Sequence, residues 1–351
     1  MRRLAKMMVF GLLITMAFNG FAGGQTETAN PQTVQPITKM TNAELLKFYT
    51  SLPLTNVLPL PEGPIKIDGK VKPIVVGFSQ TGFNHPWRVA MLVALQAEAA
   101  RHSNVKIVVT DGNVDIAKQN NDVNDLLARG VDAVIMSPVE SAGLVPAARA
   151  VMQRGLPLVV LDRDVPTDKT LFIGQSNVTM TEHVAEIMAK DLGGKGNIVD
   201  ITGLTGSSVA VDRDKGLQNI LKNYPDIHVL VKGDGQYLRE PAEKLMEDWL
   251  TAFSNIDAVY SHAEECAWGA QLAIARAGAC GKKIKQYTVD GSNAGFKSVK
   301  EGTFQADGNY TPYIGDIGLR AVLYKLMGQD IPGSKTTNFL AICCDCLILL
   351  L

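Results

Sequence analysis

From residue 73 onward the chain alternates short apolar runs with longer stretches whose apolar residues recur at three- and four-residue intervals. The runs over 74–79, 105–110, 133–136 and 158–161 are apolar almost throughout, the pattern of strands buried on both faces. Between them, 87–102, 115–129 and 142–154 carry the period of helices with one buried face. A second series predicts strands at 171–174, 197–201, 227–231, 258–260, 284–289 and 303–307. Its helices fall at 180–192, 208–223, 240–253, 264–277 and 313–327. Strict β-α alternation calls for parallel sheets with right-handed crossovers and helices on both faces. Two sets of similar size predict an α/β protein of two lobes with a cleft between them, a favoured place for a ligand.

The first 72 residues break this pattern. Arg2, Arg3 and Lys6 precede an apolar stretch over 7–18, too short to span a bilayer comfortably, and Gly20 and Ala22 follow. This predicts a secretory signal peptide over 1–22, cut after Ala22. Gly24 stands where a lipoprotein would carry its acylated cysteine, so the expected product is periplasmic and not lipidated. Residues 23–72 read as an N-terminal arm or linker, with one short helix near 42–49 and Pro53, Pro59, Pro61 and Pro64 after it.

Composition removes several function classes. A net charge of −1 gives no field for nucleic acid or an anionic membrane surface. No G-x-G-x-x-G follows a strand, and no P-loop, G-x-S-x-G elbow or H-E-x-x-H occurs, so no cofactor is expected. Cys266 and Cys280 flank a predicted helix of about 14 residues, about 20 Å long, too far apart for a disulfide. Cys343, Cys344 and Cys346 cluster without a nearby histidine, so no metal site is expected.

The chemistry gathers at strand ends, where open α/β sheets bind ligands. The run over 158–161 ends in Asp162-Arg163. Asp accepts hydrogen bonds in pairs and Arg donates in a planar fork, the two partners that vicinal sugar hydroxyls need. Taken alone, the pair reads first as a surface ion pair of little energetic weight. After the first strand come Phe83 and Trp87, flat faces for a sugar ring or for the lobe core, with Pro86 opening the next helix.

These residues carry a resemblance. Asn84-His85-Pro86-Trp87, Leu161-Asp162-Arg163, Gly206-Ser207-Ser208 with Asp212-Arg213, and Val289-Asp290-Gly291 stand in one order over 73–329. This region resembles the periplasmic sugar-binding proteins of the ribose and galactose type, the type I solute receptors of ABC importers. Trp87-Arg88 and the stretch over 207–213 look closest to the galactofuranose-binding branch.

The resemblance implies two Rossmann-like lobes joined by a hinge, 73–175 with 310–329 and 176–309 with about 330–345. It implies a non-enzymatic monomer that delivers a monosaccharide to a membrane permease. It also implies ligand contacts from Thr81, His85, Trp87, Arg88, Asp162 and Arg163 on one lobe, and from Arg213, Tyr237, Asp290 and Asn309 on the other.

Two departures stand out. Ala263 replaces an amide that the family uses to grip its ligand, leaving room for a bulkier sugar or water unless Glu264 compensates. The tail over 338–351 is unusually apolar: either an edge strand survives in it or the native end has been replaced.

Three rival functions share the lobes. A transcription regulator would need a basic helix-turn-helix ahead of the first lobe, where the export signal and proline-rich arm stand. A sugar enzyme could use Asp162 and Asp290 as acid and base, but Arg163 beside Asp162 would keep that carboxylate ionised. A receptor for chemotaxis or signalling would use the same site.

Overall fold

The computed structural model describes residues 58–278, 284–331, 339–341 and 348–350, all within the compact unit Ser51–Leu351. A small hairpin, β1 (Lys66–Ile67) with β2 (Lys70–Val71), precedes the first α/β series. That series is β3 (Ile74–Gln80), α1 (Pro86–Ala100), β4 (Val105–Asp111), α2 (Ile116–Ala128), β5 (Ala133–Ser137), α3 (Val145–Gln153), β6 (Leu158–Leu161) and β7 (Leu171–Gly174). The second begins with α4 (Asn177–Asp191), β8 (Lys195–Thr202), α5 (Ser208–Leu221), β9 (Asp226–Asp234) and α6 (Arg239–Ala252). It continues through β10 (Ala258–Ser261), α7 (Glu264–Arg276), β11 (Lys285–Asp290), α8 (Asn293–Lys300) and β12 (Ala306–Asn309). Then α9 (Ile314–Leu326) returns to pack on α1 and the first sheet, and β13 (Phe339–Ala341) and β14 (Ile348–Leu350) follow.

The strands form two large sheets, β13-β7-β6-β5-β3-β4 and β14-β12-β11-β10-β8-β9. The first is parallel throughout and the second holds five consecutive parallel strands with β14 antiparallel at its edge, in the doubly wound order that α/β alternation predicts. β5 and β6 are buried at every position, which is why their sequences are unbroken apolar runs. Helices cover both faces of both sheets. Phe78, Leu95 and Ile317 pack on one face of the first sheet, and Leu126, Val134 and Val151 on the other. Val184, Leu217 and Tyr260 fill one face of the second sheet, and Ile201, Met246 and Cys266 the other.

The structure corrects the sequence reading in three places. Residues 58–72, expected as an arm or a linker, are a strap packed on the first lobe. Leu58, Leu60 and Ile65 join its core, Tyr324 Oη donates to Pro59 O at 2.6 Å, and Asn104 Nδ2 donates to Ile65 O and Lys72 O at 2.9 and 2.6 Å. Prolines hide this segment from any periodicity argument, because its order comes from tertiary burial. The second correction concerns 330–345, expected with the second lobe: Phe339–Ala341 instead pairs parallel with β7 of the first sheet. Ile348–Leu350 pairs antiparallel with β12. The third is α8, absent from the prediction because few of its residues are apolar; the Ser292 hydroxyl caps it by accepting from Gly295 N.

The signal peptide, the short helix near 42–49, Cys280, Cys343, Cys344 and Cys346 lie outside the described residues. Cys266 is buried, and burial raises its thiol pKa, so it is not a reactive nucleophile.

Candidate functional site

Strand ends from both sheets meet around one cavity of about 160 Å³. Thr81, His85, Trp87, Arg88, Asp162 and Arg163 line it from the first lobe. Arg213, Tyr237 and Asp290 line it from the second. Val114, Asp162, Gln236, Tyr237 and Asp290 all adopt positive φ, and all line the cavity. L-residues enter that region at a cost, so the surrounding fold must hold them there, as is common at binding sites.

On the first lobe, Asp162 is 4% exposed and both its oxygens are engaged. Arg88 Nη2 donates to Oδ2 at 2.7 Å, and the Tyr310 hydroxyl donates to Oδ1 at 2.9 Å. Burial would raise this carboxyl, but Arg88, Arg163 and the Tyr310 hydroxyl hold it below the usual carboxylate range. Arg88 Nη1 also donates to Ser137 Oγ at 2.6 Å, and Arg163 Nη1 to Val139 O at 2.6 Å, so both guanidiniums are anchored on the β5 end. Burial, with Arg88 alongside, brings Arg163 down to about 10, still fully cationic at neutral pH.

His85 caps α1: its Nδ1 accepts the Trp87 N–H at 3.1 Å. That role needs an unprotonated ring nitrogen. Burial, then Arg88, Arg163 and Arg213, lower its pKa to about 3, so the ring stays neutral. Trp87 stacks on Tyr310 with ring centroids 5.4 Å apart, and its Nε1 donates to Tyr310 O at 2.8 Å.

On the second lobe, Arg213 comes from the first half of α5, whose N-cap is Ser207. Its Nε donates to Asn177 Oδ1 at 2.9 Å, and its Nη1 to His262 O and, at 3.3 Å, to Asp290 Oδ1. Burial pushes Asp290 up to about 7 against the pull of Arg213. Tyr237 lies under both lobes' arginines, 5.4 Å from Arg163 and 5.9 Å from Arg213, and shares a hydrogen bond of 3.1 Å with Ser207 Oγ. Gly203 is obligatory here, since a Cβ would sit 1.9 Å from the Tyr237 ring.

The lobes also touch directly beside the cavity. Ser141 N donates to Gly206 O at 3.2 Å, Ser208 N to Ser141 Oγ at 3.2 Å, and Asp164 N to Ser208 Oγ at 3.0 Å.

Nine of the ten residues expected from the sequence therefore surround one cavity. Asn309 does not line it; its amide donates to Gly291 O at 3.5 Å. The next residue, Tyr310, takes the place instead. It links Trp87 and Asp162 on one side with Arg213, whose guanidinium lies 4.9 Å over its ring, on the other. Alternation along β12 decides which of the two points inward, and a strand end leaves that parity open in sequence.

Ala263 is buried in the apolar cluster against which Tyr237 packs and does not line the cavity, so its small side chain opens no space there. Trp249 is core, and Trp268 packs on Phe304 and donates to Ser298 Oγ, both away from the site. A buried mixture of guanidiniums, carboxylates and phenols suits a small neutral molecule rich in hydroxyls; a phosphate would favour cations without carboxylates beside them.

Comparison with known proteins agrees with this chemistry. The family model described as periplasmic binding protein domain matches residues 76–330. The galactofuranose-binding protein of Escherichia coli is 31% identical over 249 residues, 68% of this chain and 78% of that protein. The arabinose-binding component of an ABC transporter from Shewanella sp. ANA-3, solved with arabinofuranose, superposes with TM-score 0.71 at 28% identity, covering 76% and 89% of the two chains. The fructose-binding periplasmic domain of a hybrid two-component system gives TM-score 0.72 at 29% identity, covering 79% and 90%.

Proposed function

The chain belongs to the periplasmic binding protein family, a family of non-catalytic solute-binding proteins, and on that premise we propose that it captures one monosaccharide for an ABC importer. The observation that carries the reading is the single cavity in which Arg88, Asp162 and Arg163 of one lobe face Arg213, Tyr237 and Asp290 of the other. A ligand touching both sets favours the closed arrangement by its differential affinity for it. The preferred sugar is a galactose-type furanose or a related pentose, because the galactofuranose- and arabinose-binding relatives share the lobes.

The finer parts of the reading are delivery to a membrane permease, export by the signal peptide over 1–22, a monomeric state and no nucleic-acid partner. A sugar-sensing receptor is the second reading, favoured by the likeness to the fructose-binding domain of a two-component system.

The first test is thermal. At ligand near 100 times its dissociation constant, a binder of the folded state gains about 2.7 kcal/mol, a shift of several degrees for a chain of this size. D-galactose and L-arabinose, which populate furanose rings in water, are expected to raise the melting temperature more than D-ribose, D-glucose or a sugar phosphate. A shift with the sugar phosphate alone would reject the neutral monosaccharide.

A further inference from the structure

Beneath Asp290, and outside the cavity wall, lie two more buried carboxyls. Glu264 opens α7 and is 4% exposed; Asp307, on β12, is fully buried. Each holds a backbone amide of the turn that follows Asp290. Ser292 N donates to Glu264 Oε1 at 2.6 Å, and Gly291 N donates to Asp307 Oδ1 at 3.2 Å. The Glu264 amide in turn donates to Asp290 Oδ2 at 3.3 Å.

The two carboxyls also meet each other. A Cβ on Gly295 would lie 1.8 Å from Glu264 Oε1 and 2.1 Å from Asp307 Oδ2, so the two oxygens are neighbours within hydrogen-bonding reach, and only glycine at 295 leaves them room. Two ionised carboxylates cannot both persist at that spacing in a buried site; with one proton between them, one O–H donates to the other's oxygen.

The surrounding charges do not offer another solution. Arg213 from α5 is bound to Asp290, Glu265 and Cys266 of α7 add no cation, and the first turn of α8, residues 293–296, carries no charged side chain. Thr288, opposite Asp307 on β11, is uncharged.

Building on the sugar-binding reading, we propose that Glu264 and Asp307 are positioning residues: they share one proton, and the pair holds the turn over 290–292 so that Asp290 is presented to the ligand. Ala263, which precedes Glu264, supplies no capping side chain of its own, and the Gly291 and Ser292 amides of the turn are held by this pair. Glu264 thus contributes to the site without touching the cavity.

Burial raises both carboxyls, Asp307 further through Glu264. A folded-state pKa raised above the unfolded value, about 4 for a carboxyl, makes stability fall as pH rises from that value through the folded one. The wild-type melting temperature is therefore expected to decline by several degrees between pH 5 and 9. Glu264→Gln, whose amide supplies a permanent hydrogen, is expected to show a clearly shallower slope, the remainder belonging to Asp290.

Calorimetric titration with D-galactose and L-arabinose reads the positioning role. Glu264→Ala should weaken binding tenfold or more at pH 7, and Glu264→Gln should rescue it to within threefold and hold it at pH 9, where the wild type weakens. Equal melting slopes for wild type and Glu264→Gln, or unchanged affinity in Glu264→Ala, overturn the inference. If wild type binds neither sugar, the sugar reading fails and the positioning role with it, while the slopes still decide whether the proton is shared.

Discussion

Asp162→Ala is expected to abolish sugar binding and to destabilise the protein. The carboxylate is the acceptor for Arg88 and for the Tyr310 hydroxyl, and Arg163 Nε lies 3.7 Å from it. All of these groups are buried, so its removal leaves Arg88 and Arg163 facing each other without a counter-charge. Truncating one partner of a buried, charge-assisted contact costs about 2–5 kcal/mol of binding, an affinity loss of about 30-fold or more. Breaking a buried ion pair costs about 3–5 kcal/mol of stability, on the order of 10 °C in melting temperature. Stability falls along with binding because the fold itself uses this carboxylate. Calorimetric titration and a melt on the same sample check both. A variant that binds within threefold of wild type removes Asp162 from the site.

Arg213→Met is expected to weaken binding about 100-fold, roughly 2.7 kcal/mol, and to change its pH dependence. Arg213 gives hydrogen bonds to Asn177, His262 O and Asp290 and lies over the Tyr310 ring. It is also what keeps Asp290 from rising beyond about 7 in its buried position. Without it, Asp290 stays protonated to higher pH and at neutrality offers a neutral acid in place of a charge-assisted acceptor. The affinity deficit relative to wild type at the same pH should therefore shrink as pH rises from 7 to 9. A variant with wild-type affinity and the wild type's pH profile would place Arg213 outside the ligand contacts.

The fold was legible because its signals are local. Short unbroken apolar runs such as 158–161, preceded by Gly155 and Pro157, read as strands buried on both faces, and the helical period between them fixes the alternation. The cavity was legible because chemistry sits at strand ends, and Asp162, Arg213 and Asp290 each stand at such an end or just inside the following helix.

What stayed hidden depends on three dimensions. The inward turn of Tyr310 rather than Asn309 is a matter of one residue's parity at the end of β12. The strap over 58–72 is ordered by contacts with Asn104 and Tyr324, far along the chain. Ala263 looked like a gap in the wall because sequence cannot show that Tyr237 packs against its cluster. Glu264 and Asp307 are 43 residues apart, and only the register of β11 beside β12 brings the turn over 290–292 onto both.

The central claim is that one neutral monosaccharide occupies the cavity between the lobes. Isothermal titration of the wild type with D-galactose and L-arabinose, repeated on Asp162→Ala, tests it most directly. The expected result is saturable heat from at least one of the two sugars at one site per chain, absent in the variant. Heat from neither sugar, or a titration that Asp162→Ala leaves unchanged, would contradict it.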